Sequence, residues 1–193
     1  GNDIEDFLNN PPATEEASVF AFLRAISTCE KPVMAAVCGP AVGIGATLLL
    51  HCDLVYAGDN AAFSMPFVNL GLVPEAASSL LVPQLMGYHR AAEVLLMGEP
   101  FMAEAALEVG FVNRVVAPTE TNAYARTQAL KLAKKPLTSL IATKRLLKAP
   151  TQAQVQQVMV AESKLFGPML QGPAAREAFG AFVEKRRPDF SNL

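Results

Sequence analysis

Apolar positions along this 193-residue chain fall into two regimes. In the first, over residues 1–118, short apolar runs are separated by turns rich in glycine, proline and asparagine. Asn9-Asn10-Pro11-Pro12 is a break, and Thr14-Glu15-Glu16 then reads as a capped helix start, the helix running to about Ser27. The run 33–37 is too short and too uniformly apolar for a helix and predicts a buried strand. The pattern predicts a short apolar helix over 42–51 and strands over 53–57 and 61–64 around the turn Gly58-Asp59-Asn60. It then predicts a turn or single helical turn over 66–70. Helices follow over 74–85, 89–96 and 103–109, punctuated by Gly87 and Gly110, and a strand over 112–116.

From Thr119 onward the strand signal disappears. Residues 119–134, 137–148, 152–166 and 173–185 read as helices, with Pro136, Pro150 and Gly167-Pro168 as breakers. The chain therefore divides into an α/β core, 1–118, and an all-helical region, 119–193. Several of the later helices are only weakly amphipathic, so their apolar surface packs either on the core or on a neighbouring subunit.

Composition narrows the function. Half the residues are hydrophobic and 18% are charged, which fits a packed domain rather than a disordered chain. A net charge of −2 gives no electrostatic reason to bind nucleic acid or an acidic membrane. The three cysteines, Cys29, Cys38 and Cys52, lack metal-ligand spacing and are odd in number, which favours a reducing compartment. Cys38 and Cys52 sit in apolar runs and read as buried, inert thiols. No signal peptide or bilayer-spanning run is evident, so a cytoplasmic location is expected, with no metal and no membrane partner. Gly1-Asn2-Asp3-Ile4 reads as the middle of a motif, and sequence upstream of it is expected.

The stretch from Lys31 to Leu48 carries the chemistry: a strand, then Gly39-Pro40-Ala41-Val42-Gly43-Ile44-Gly45, then an apolar helix. Such a turn can aim backbone N–H groups at one point, and a helix start adds unpaired N–H groups of its own. It could hold a phosphate or the oxyanion of an enolate. Leu48 stands where a dinucleotide fingerprint needs its third glycine, and no Gly-Lys-Ser/Thr follows for a phosphate loop. A turn of small residues that merely lets a helix pack close to a strand fits the spacing equally well.

These residues resemble the crotonase superfamily, also called the enoyl-CoA hydratase/isomerase family. The resemblance is carried by Gly1-Asn2-Asp3-Ile4, Lys31-Pro32 leading into the glycine-rich turn, Cys52-Asp53-Leu54-Val55-Tyr56-Ala57 and Leu70-Gly71-Leu72-Val73-Pro74. Gly87 to Glu93, Ala105 to Val116 and Phe182 to Pro188 extend it along the chain. It implies a spiral of ββα turns whose first turns are missing here, a helical C-terminal region (119–193) that mediates trimers or dimers of trimers, and an acyl-CoA thioester as ligand. Coenzyme A would enter as part of the substrate, with no other cofactor. The resemblance further implies an oxyanion hole made by the backbone N–H groups of Asn2 and Ile44, with Gly43 and Gly45 shaping the turn.

The hydratases of that family use two glutamates, and the matching positions here are Thr47 and Phe67. Hydration is therefore disfavoured. Glu75 aligns with the single glutamate of one branch of the Δ3,Δ2-enoyl-CoA isomerases, which implies one acid/base acting on a dienolate, with Phe67, Leu70 and Leu72 as apolar wall. Taken locally, Pro74-Glu75 is also an ordinary helix start, an acid in a first turn. A non-catalytic CoA-binding or interaction protein on the same scaffold is the alternative. His51 and His89 lack partners at useful spacing and read as helix-end or surface residues. Lys185, Arg186 and Arg187 either meet CoA phosphates, as in relatives, or simply close a helix.

Overall fold

The structure, a computed structural model, describes residues 17–193. After helix α1 (Ser18–Thr28) the chain steps twice through a pair of strands. β1 (Met34–Val37) turns a corner at Gly39, whose φ of +80° suits glycine, into β2 (Pro40–Val42). Helix α2 (Ile44–Thr47), continued by a 3₁₀ turn (Leu48–His51), returns the chain to β3 (Leu54–Gly58) and β4 (Ala62–Ser64). Both strands of the second step lie parallel to those of the first: β1 pairs with β3, Ala35 opposite Val55, and β2 with β4, Ala41 opposite Phe63. This repeat is the ββα spiral that the family resemblance implies.

Two three-stranded sheets result. One has the order β1-β3-β6, with β6 (Arg114–Val116) parallel to β3; the other has the order β2-β4-β5, with β5 (Phe101–Met102) antiparallel to β4. β3, central in its sheet, is buried over most of its length and reads as a continuous apolar run, as interior parallel strands do. Phe63, Phe101 and Phe111 stack in the core with ring centroids 5.2–5.7 Å apart, and Ala46, Leu49, Val82 and Phe179 close around it.

The helices of the second layer are α3 (Ser78–Met86), α4 (Tyr88–Ala92) with a π turn over Glu93–Met97, and α5 (Ala103–Glu108). The C-terminal region contributes α6 (Thr121–Ala133), α7 (Leu137–Leu170) and α8 (Pro173–Val183). Among the described residues after 117 there is no strand.

Four local expectations change. β2 and β5 are strands too short for a periodic signal, and Val42, read as the start of a helix, ends β2 instead. The helix expected over 74–85 begins only at Ser78. The helices expected over 137–148 and 152–166 are one, running through Pro150 and Pro168. A proline inside a helix forfeits a hydrogen bond and crowds the preceding turn, roughly 3 kcal/mol. Here anchors on both sides of Pro150 offset that loss. The Lys144 ammonium, almost fully buried, meets Asp53 at 2.7 Å and the Lys31 carbonyl at 2.7 Å. Gln152 and Gln156 donate to the carbonyl and hydroxyl of Ser27, and Val155 is buried.

Candidate active site

The turn between β2 and α2 depends on one residue. Gly43 sits at φ +56°, ψ −123°, a conformation open essentially to glycine alone. Its N–H donates to the Ser64 carbonyl at 2.9 Å, tying the turn to β4. Its carbonyl accepts from Ala46 and Thr47, both at 2.9 Å, which starts α2 immediately. Ile44 is thus the first residue of a helix, and its N–H has no acceptor within that helix. Gly45 follows it inside α2, half-buried like Ile44. Asn2, expected to supply the second N–H, lies outside the described residues.

Thr47 stands three positions beyond Ile44, so both project to the same side of this short helix. It is fully buried, and its hydroxyl donates to Oε1 of Glu75. Glu75 Oε2 is buried and has no hydrogen-bond partner among the described residues. The residue as a whole is half-buried, while the Oε2 end of its carboxyl group is buried. Loss of water raises its pKa to about 7; the Thr47 hydroxyl opposes the shift, and the negative charge of Glu162 adds to it. A carboxyl that titrates near neutrality can both take and return a proton there.

The turn that holds Glu75 is not the helix start expected for Pro74-Glu75. Ala76 and Ala77 both have positive φ, +60° and +56°, and the Ser78 N–H and hydroxyl both close onto the Glu75 carbonyl, at 3.0 and 2.6 Å. Alanine resists this region, with a penalty on the order of 1–3 kcal/mol per residue. Two buried side chains hold the turn. His51, from the 3₁₀ turn after α2, donates its Nε2–H to the Ala76 carbonyl at 2.8 Å. Burial pushes its pKa down, which favours the neutral ring. Glu162, from α7, accepts at one oxygen from the Ala77 N–H at 2.6 Å and at the other from the Ser79 N–H and hydroxyl at 3.0 and 2.6 Å. It caps α3 from outside, placing a carboxylate at a helix N-terminus that has no side-chain cap of its own.

The remaining candidates divide. Phe67 and Leu72 lie in the buried core, and Leu70 packs half-buried against it. His51 closes a helical turn, as one of its two expected roles has it, but is buried rather than on the surface, and Cys38 is exposed rather than buried, its Sγ 3.6 Å from the Pro118 carbonyl. Arg186 is engaged by Glu177, bidentate, and by Glu184, which closes the C-terminal segment beyond α8. His89 is exposed, as expected. Glu162 went unnoticed in the sequence, and the hydrogen-bonding roles of Thr47 and His51 were not legible there. No local motif marks any of them, since their partners lie 25 to 85 positions away.

Comparison with known proteins agrees with this architecture. The sequence profile of the enoyl-CoA hydratase/isomerase family matches residues 1–192. The chain is 35% identical over 169 residues to a probable enoyl-CoA hydratase of Rhodobacter capsulatus, covering 88% of this chain and 66% of that protein. It is 36% identical over 164 residues to enoyl-CoA delta isomerase 2 of Rattus norvegicus, covering 82% of this chain and 42% of that protein. The structure of Pseudomonas aeruginosa OdaA superposes with a TM-score of 0.92 at 44% identity, covering 95% of this chain and 74% of that one. The chain thus spans two thirds or less of the length of these two curated relatives. The fold is the crotonase fold.

Proposed function

Starting from a chain that belongs to the enoyl-CoA hydratase/isomerase family, we propose that it acts on acyl-CoA thioesters as a Δ3,Δ2-enoyl-CoA isomerase with Glu75 as its acid/base. One observation carries this reading: a buried carboxyl with one oxygen held by Thr47 and the other free of any donor among the described residues, beside the helix that presents the Ile44 N–H. Glu75 Oε2 takes a proton from C2 of a 3-enoyl-CoA. The electron pair of that C–H bond moves into the C2–C1 bond, and charge collects on the thioester oxygen as a dienolate. The N–H groups of Ile44 and Asn2 stabilise that charge; one such donor is worth roughly 3–4 kcal/mol in comparable sites. Glu75 then returns the proton to C4, leaving the double bond between C2 and C3.

Gly43 and Gly45 shape the oxyanion turn, while Phe67, Leu70 and Leu72 supply the apolar side of the acyl site. The exposed Leu137, Leu146, Leu147 and Phe182 support residues 119–193 as the region through which subunits associate as trimers. Hydratase names are common among the relatives. Water addition needs one group to activate water and another to supply a proton, and Thr47 and Phe67 replace the glutamates that hydratases of the family use. The test is to mix the protein with a 3-enoyl-CoA and follow the absorbance of the conjugated thioester. The reading predicts turnover, its loss in Glu75→Gln with CoA-ester binding retained, and no hydration of 2-enoyl-CoA. Unchanged turnover in Glu75→Gln, or hydration as the principal activity, would overturn it.

A further inference from the structure

Glu162 is buried and has no part in the mechanism above, yet among the described residues every hydrogen bond its carboxylate makes goes to the turn behind Glu75. We propose that Glu162 is a positioning residue: from α7 it holds the left-handed Ala76–Ala77 turn in place and so keeps the Glu75 carboxyl against Thr47 and out of water. The inference rests on Glu75 being the base and assigns the part of the molecule that places it. Alanine does not adopt two successive positive φ angles unaided. Left to its own preference, Pro74-Glu75-Ala76-Ala77 would continue α3 backward as a helix and turn the Glu75 side chain elsewhere. The bonds to the Ala77 and Ser79 N–H groups stop that helix at Ser78. His51 secures the adjoining Ala76 carbonyl; among the described residues the ionisable groups bonded to the turn are this imidazole and Glu162, Lys148 bonds the His51 carbonyl behind it, and Thr47 is the direct donor to Glu75.

Glu162 also has a second effect on the base. Its charge favours the protonated form of Glu75. Glutamine in its place removes that charge and presents an amide NH2 to one of two sets of donors, so at least one bond to the turn is lost.

The experiment is a pH titration of the Glu75 carboxyl by 13C NMR in the whole protein, with Glu75→Gln identifying the signal. Alongside it, hydrogen exchange is measured at the Ala77 and Ser79 amides. In Glu162→Gln the midpoint should fall from about 7 by a tenfold or greater change in proton affinity, about one pH unit. The two amides should lose protection, and kcat for 3-enoyl-CoA should drop with KM nearly unchanged. A folded Glu162→Gln protein with an unmoved midpoint would overturn the proposal. So would a shifted midpoint with unchanged amide exchange, because charge alone would then be acting. Should Glu162→Gln fail to fold, Ser79→Ala removes one of the bonds from an exposed position and should move the midpoint and exchange the same way, by less; no movement of either overturns the proposal. The titration follows the carboxyl itself, so it reads the brace whether or not the protein turns over 3-enoyl-CoA. Turnover in Glu75→Gln tests the base alone.

Discussion

The Thr47 hydroxyl donates to Oε1 of Glu75, joining the helix after the glycine-rich turn to a carboxylate 28 positions further along the chain. By its resemblance to the family, Thr47 matches a position where the hydratases use a glutamate. A carboxylate there would face Glu75 across a hydrogen-bond distance, and like charges so close cannot both ionise. The threonine puts a donor there in place of that repulsion and leaves one carboxyl group. Thr47→Val keeps the shape and removes the donor. Since this hydrogen bond lowers the Glu75 pKa, the acid limb of kcat/KM should move above pH 7 in the variant. Loss of the bond should cost about 1–3 kcal/mol in urea unfolding near pH 8. An acid limb that moves down would contradict this geometry.

With its pKa at about 7, Glu75 must lose its proton before it can act as the base, so kcat/KM should rise with pH to a plateau above 7 rather than above 4.5. Stability runs the other way. The folded pKa lies above the unfolded one, so between about pH 4.5 and 7 the native state holds a proton that the unfolded chain has lost. This contribution is complete below 4.5 and fades as pH rises through 7, by about 3 kcal/mol at most. Denaturant unfolding of Glu75→Gln should lack that loss, so the difference between the two proteins should widen with pH across this window.

Two glycines should fail for different reasons. A Cβ at Gly43 meets open space, so Gly43→Ala is opposed only by its backbone conformation. It should cost about 1–3 kcal/mol and lower kcat, since the Ile44 N–H moves with the turn. Gly71, at φ +68°, has α8 against it: a Cβ there would stand 2.7 Å from the Ala174 side chain and 2.8 Å from the Ala175 nitrogen. Gly71→Ala should therefore destabilise more than Gly43→Ala in thermal melts, because α8 must shift.

Lys144 and Asp53 form an ion pair largely removed from water, and Asp53 also accepts from the Val33 N–H at 2.7 Å. Lys144→Met leaves the carboxylate without its cation and should cost about 3–5 kcal/mol in urea unfolding. The double variant with Asp53→Asn should recover part of that. A Lys144→Met protein as stable as the parent would show that the pair does not anchor α7 to the sheet.

The order of strands and helices was readable because apolar runs and glycine punctuation act over a few residues. The runs 33–37 and 53–57 lie within one residue of β1 and β3, and no strand follows β6 among the described residues. Gly43, too, could be singled out, since a strand-to-helix turn this tight needs a conformation that a side chain opposes. Local rules failed wherever a distant group overrode them. Pro150 should have ended a helix, and anchors to Asp53 and Ser27 carry α7 through it. Pro74-Glu75 should have begun one, and Glu162 and His51 hold the next two alanines left-handed instead. The sequence by itself determined the strand, glycine turn and helix that follow one another from β1, and its family resemblance pointed to the ββα repeat and to Glu75. Only the tertiary structure decided that Glu75 is buried, bonded to Thr47 and braced from α7. Proton affinity depends on desolvation and on neighbours in space, and those neighbours lie 28 and 87 positions away along the chain.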